Sequence, residues 1–180
     1  MKFATTGSVL FVMTPVASER YMKSARDSFI AIGDRWFLST VAADLPRPVY
    51  EQGRYKEARA LVEAIEEVPA PSDAEWQTKR RGVHARLLAR DGRIEEAERM
   101  AREGVAASSR TDQLWFHGDA AIDLAQVLRI GGQFEEVTRT AEAALRLYEG
   151  RGIMPSAART RELIEALRSP PLTSQAGPTV

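Results

Sequence analysis

Along most of the chain the apolar residues recur every three or four positions, the period of one face of an α-helix. From about Ala17 to Ile32 the stripe is Tyr21, Met22, Ala25, Phe29 and Ile32, and from about Arg35 to Gln52 it is Trp36, Phe37, Val41, Ala42, Leu45, Val49 and Tyr50. Arg54 to about Glu67 carries Tyr55, Ala58, Leu61, Val62 and Ile65. About Ala74 to Arg90 shows Trp76, Val83, Leu87 and Leu88, and Ile94 to Ala107 shows Ala97, Met100, Ala101 and Val105. A further pair runs from a cap at Thr111 or Asp112 through Leu114, Trp115, Ala121, Leu124, Ala125 and Leu128, then from Phe134 to Tyr148, and a last helix spans about Pro155 to Leu167. No window alternates apolar and polar residues long enough to argue for a strand, and the loops are short. An all-α chain of antiparallel sequential helices follows.

The same turn is written three times. Arg90-Asp91-Gly92-Arg93-Ile94-Glu95-Glu96-Ala97 is preceded by Glu51-Gln52-Gly53-Arg54-Tyr55-Lys56-Glu57-Ala58 and followed by Gly131-Gly132-Gln133-Phe134-Glu135-Glu136-Val137. Gly53, Gly92 and Gly132 lie 39 and 40 residues apart, within the range of helical repeat arrays. Glycine supplies the left-handed conformation that stops one helix, and an acidic first turn begins the next. The expected architecture is a right-handed α-α superhelix, a solenoid of about three and a half antiparallel helix pairs.

One element conflicts with its own pattern. Pro46 and Pro48 fall inside the stripe from Arg35 to Gln52, and interior proline removes a backbone donor and clashes one turn back, at a cost of ~3 kcal/mol. A kink or break is expected there. Before the repeats, residues 1–16 contain the apolar run Val9 to Met13 after a single Lys2, a poor signal peptide and too short to span a bilayer. The repeat domain is placed at 17–168. Residues 169–180, with three prolines and no charged side chain, are expected to form a flexible tail.

Composition narrows the function classes. In 180 residues, 25 basic side chains balance 25 acidic ones, so no overall field draws the chain to nucleic acid or to an anionic membrane. Without cysteine it has no disulfide, thiol nucleophile or cysteine-ligated metal, which is compatible with a cytoplasmic setting.

Five residues after each repeat glycine stand Ala58, Ala97 and Val137, and seven before stand Pro46, Ala85 and Ala125. Glycine, a large residue two later and alanine five later resembles the tetratricopeptide repeat, here with a lengthened period. Gly33-Asp34-Arg35-Trp36-Phe37-Leu38-Ser39-Thr40, Gly131-Gly132-Gln133-Phe134-Glu135-Glu136 and Ala144-Leu145-Arg146-Leu147-Tyr148-Glu149 look like the C-terminal repeats of bacterial adenylate/guanylate cyclase–NTPase signalling proteins. The sequence has no P-loop glycine–lysine motif and no room for a cyclase domain, so neither activity is carried over. The resemblance implies a protein-interaction scaffold or, as an alternative, a truncated or split regulatory region of such a signalling protein.

The remaining chemistry is sparse. His84 and His117 are the only histidines; a small hydrolase using one of them is the least favoured reading, with no nucleophile elbow and no metal-ligand cluster. Glu95-Glu96 and Glu135-Glu136 recur at the repeat period in first turns, where dipole complementation explains them. Lys79-Arg80-Arg81 with Arg86 and Arg90 is the one basic cluster, and Trp36, Trp76 and Trp115 are expected to pack near helix starts. No enzyme activity, metal or cofactor is expected. Repeat arithmetic places Arg47, Lys79, Arg86, Asp119, Gln126 and Arg129 toward a concave groove, which suggests an acidic or polar peptide of a protein partner. Self-association through the apolar N-terminal end is also expected.

Overall fold

The computed structural model describes residues 14–66, 74–112 and 114–168. The apolar run expected in the leader and the expected tail lie outside the described residues, as do the side chains of Trp36 and Trp115. Among the described residues the chain forms helices and turns only: α1 (Pro15–Ile32), α2 (Arg35–Asp44), α3 (Pro46–Glu51), α4 (Tyr55–Glu66), α5 (Ala74–Arg90), α6 (Ile94–Ser108), α7 (Leu114–Ile130), α8 (Phe134–Gly150) and α9 (Met154–Arg168). The first starts two residues earlier than its stripe suggested, because Thr14 caps it: the Thr14 hydroxyl accepts from the Ala17 amide at 3.3 Å, and Pro15 takes the first turn.

The repeated glycines set the hairpins. Gly33, Gly53, Gly92, Gly132 and Gly152 all have φ between 68° and 82°, a conformation that costs other residues ~1–2 kcal/mol. Each closes the same pair of backbone bonds. At the central turn Gly92 N–H donates to Ala89 O and Arg93 N–H donates to Leu88 O, both at 3.1 Å, satisfying carbonyls that a helix end leaves orphaned. Glu57, Glu95–Glu96 and Glu135–Glu136 then occupy the first turns of α4, α6 and α8.

Packing follows the repeat register. Ala58, Ala97 and Val137 are fully buried, and so are Val62, Ala101 and Ala141 four residues further on. On the first helices of the pairs, Val49, Leu88 and Leu128 are likewise buried. Each helix packs on its successor, α5 on α6, α7 on α8 and α9 on α8, while α5 also lies along α7 and α2 lies along α5. First helices therefore sit side by side.

The prolines break the helix where expected. Regular structure stops at Asp44 and resumes at Pro46, with Leu45 between them still donating its amide to Val41 O at 3.0 Å. Pro46 and Pro48 cannot donate to the carbonyls one turn back, at Ala42 and Asp44. Their rings are buried instead, so apolar packing offsets part of the lost backbone bonding.

Candidate binding cleft

A cleft of about 380 Å³ opens on the face formed by the first helices, closed at one side by Pro15 and Ser18 of α1 and at the other by Ser156, Arg159, Thr160 and Leu163 of α9. That volume falls within the range of small-ligand and peptide side-chain pockets. Five of the six groove residues read from the repeat arithmetic line it: Arg47, Lys79, Arg86, Asp119 and Gln126. Arg129 does not. It lies on the exposed end of α7, where its Nε donates to Gln126 Oε1 at 3.1 Å.

The cleft residues are built into ion pairs. Arg47 is bidentate on Asp123, with Nη1 to Oδ1 at 2.9 Å and Nη2 to Oδ2 at 2.5 Å. Arg86 reaches Glu51 at 2.7 Å and Asp123 at 3.5 Å, and its guanidinium lies 4.2 Å from the Tyr50 ring centroid. Lys79 Nζ sits 2.9 Å from Asp44 and 5.3 Å from the Phe116 ring centroid. Burial alone opposes the Arg47 charge, yet Asp123, with Asp119 and Glu51 behind it, raises its pKa above the ordinary arginine range. Burial also raises Glu51, but Arg86 and Arg47 outweigh it, so that carboxyl is held below its usual value.

Asp119 behaves differently. The Tyr148 hydroxyl donates to its Oδ1 at 2.6 Å, and burial pushes its pKa up to about 7 against the opposing pull of Arg47. The Tyr148 phenol is itself pushed well above its ordinary value by burial and by the Asp119 charge beside it. Two helical glycines make room for these groups. A Cβ on Gly82 would stand 1.9 Å from Asp123 Oδ2, and one on Gly118 would stand 2.6 Å from the Tyr148 ring.

Asp44, Glu51, Asp123 and Tyr148 escaped the sequence reading. Asp44 and Asp123 share a register, each nine residues before a repeat glycine, and both are buried; that recurrence is the signal that could have found them.

The other candidates do not converge. His117 Nε2 lies 3.0 Å from Thr111 O at the entry to α7, and His84 is half-buried on α5. No group of three or more histidine, aspartate or glutamate side chains among the described residues is placed to hold a metal ion. The basic cluster is dispersed: Lys79 and Arg86 enter the cleft, Arg80 stacks on Trp76, Arg90 stacks on Tyr55, and Arg81 faces Glu103. Trp76 itself is buried beside Ala43. No helix of the described residues is long and apolar enough to cross a membrane.

No protein-family model and no curated protein matches the chain. Among solved structures it is similar to the crystal structure of BtubC (BKLC) from P. vanneervenii, with a TM-score of 0.56 and 17% sequence identity over 87% of this chain. The match spans 65% of that protein's length. At this identity the likeness is one of helical fold.

Proposed function

We propose that this protein is a non-catalytic scaffold for protein–protein interaction, a right-handed superhelix of tetratricopeptide-like pairs whose first helices present a concave groove to a polypeptide partner in the cytoplasm. The observation that carries the proposal is the convergence of Arg47, Lys79, Arg86, Asp119 and Gln126, drawn from three successive repeats, on one cleft. Convergence of this kind on side-by-side first helices is how helical repeats build extended concave binding surfaces. A second reading, a regulatory repeat region of a cyclase–NTPase signalling protein, rests on the sequence resemblance alone, and neighbouring reading frames test it.

Gln126→Trp tests the groove by filling the cleft from its half-buried lining, while Arg129→Glu changes charge outside it. In pull-downs from source lysate, Gln126→Trp is expected to lose partners that wild type and Arg129→Glu retain. Identical partners for all three folded proteins would remove the groove from the proposal.

A further inference from the structure

Counting only the groove residues of the sequence reading gives a basic surface, but the carboxylates of the cleft balance it: Arg47, Lys79, Arg86 and Arg159 share the lining with Asp44, Glu51, Asp119 and Asp123. Arg47 is met by both oxygens of Asp123, Lys79 by Asp44 and Arg86 by Glu51. Each of these three cations has a carboxylate within 4.0 Å, and the four carboxylates lining the cleft are those three and Asp119. Asp119 alone among them has no cation at that distance among the described residues. Its Oδ1 accepts from Tyr148, the one hydrogen bond its carboxylate makes among the described residues, and Asp119 itself lines the cleft. Around it, Ala120, Ile122 and Leu163 supply apolar lining.

We infer that the cleft seats a basic side chain, the ammonium of lysine or the guanidinium of arginine, from a partner polypeptide, with Asp119 as its counter-ion and Tyr148 holding the carboxylate in place. The inference rests on the proposed polypeptide groove and names the chemistry that groove selects. A cation beside Asp119 completes the ion pair that no described cation makes with it, whereas a ligand carboxylate at Arg47, Lys79 or Arg86 would have to displace Asp123, Asp44 or Glu51 from a formed one. Buried ions are retained when paired and hydrogen-bonded. The alkyl stem of lysine or arginine suits the apolar lining.

Asp119 is faced by Arg47 from α3, Lys79 from α5, Asp123 one turn along α7 and Tyr148 from α8, with Glu51 and Arg159 also lining the cleft. Because its carboxyl ionises near pH 7, seating a cation expels the proton. Affinity should therefore rise about tenfold from pH 6 to pH 8, the change in ionised fraction for such a group.

Random-peptide display on the full chain supplies the probe. Enrichment of lysine or arginine at one peptide position is expected, lost in Asp119→Asn, whose amide oxygen still accepts from Tyr148, and kept in Arg129→Glu. A selected histidine-free peptide with capped termini is then titrated from pH 6 to pH 8. A rising affinity that flattens in Asp119→Asn supports the inference. Enrichment of aspartate or glutamate, indifference to Asp119→Asn, or affinity that falls with pH overturns it while leaving the groove as a peptide site. Failure of the folded chain to select any peptide removes the groove proposal as well.

Discussion

Gly82→Ala is the most exacting test of how the cleft is built, because helix propensity and tertiary geometry predict opposite signs for it. In an ordinary helix interior this change stabilises by ~1 kcal/mol. Here the added methyl would stand 1.9 Å from Asp123 Oδ2, 2.7 Å from Asp123 Cγ and 3.3 Å from Arg47 Nη2. No real contact is that short, so the carboxylate must leave its bidentate position. Breaking a buried ion pair costs ~3–5 kcal/mol, and the 20% exposure of the Arg47 side chain against 2% for Asp123 places the loss at ~2–3 kcal/mol on that scale. The expected net effect is a destabilisation of ~1–2 kcal/mol. In urea unfolding this appears as a lower midpoint at unchanged slope, and in thermal unfolding as a fall of about 2–4 °C for each kcal/mol. The sign should reverse in an Arg47→Met, Asp123→Ala background, where nothing occupies the space and Gly82→Ala should stabilise by ~1 kcal/mol. The resulting coupling of ~2–3 kcal/mol far exceeds the ~0.5 kcal/mol by which independent sites depart from additivity. Stabilisation by Gly82→Ala in the wild-type protein, or equal effects in the two backgrounds, would refute the reasoning.

Two further outcomes follow from other elements. Glu19 on α1 is tied to Lys23 at 2.7 Å, Gln52 at 2.6 Å and Arg54 at 2.5 Å, and the hydrogen bond from Lys23, with those of Gln52 and Arg54, lowers its pKa to about 2 despite burial. A depressed carboxyl contributes stability above its unfolded value of 4.5 that is lost as pH falls toward 2, so Glu19→Gln should be less stable than wild type at pH 7, with the gap closing over that interval in urea titrations. At the broken helix, amides of α2 and α3 should exchange with deuterium faster than those of α7. Pro46→Ala with Pro48→Ala should slow them, and equal protection in both regions, unchanged by the double substitution, would show that buried proline packing compensates fully.

The repeat skeleton was legible because it is written in local chemistry. Gly53, Gly92 and Gly132 each need the left-handed conformation, and once they are aligned, burial at Ala58, Ala97 and Val137 follows from helical periodicity. The same alignment put Arg47, Arg86 and Gln126 in one row, six residues before the glycines, and all three line the cleft. It misplaced Arg129, whose register partners Tyr50 and Ala89 are buried. Tyr50 is covered by Val83 and Leu87 of α5, and Ala89 clusters with Leu124 and Leu128 of α7. The corresponding neighbour of α7 is α9, which packs on α8. A periodic reading assumes that every repeat has the same neighbours, and an end repeat does not.

What periodicity could not supply is the stagger between adjacent first helices, and the charges of the cleft are paired across that stagger. The acidic row, Asp44 and Asp123, lies nine residues before a glycine; the basic row, Arg47 and Arg86, lies six before. The ion pairs form between repeats: Arg86 of α5 reaches forward to Asp123 of α7, and Lys79 of α5, which belongs to neither row, reaches back to Asp44 at the end of α2. Arg47 goes further, from α3 past α5 to Asp123 of α7. That span passes over Gly82, the α5 position where a side chain would meet both partners. A glycine that looks like a weak point in its helix is thus the opening through which three repeats share one buried ion network. Because the network consumes the charges of Arg47, Lys79 and Arg86, the cleft it frames presents Asp119, not those three cations, to an incoming chain.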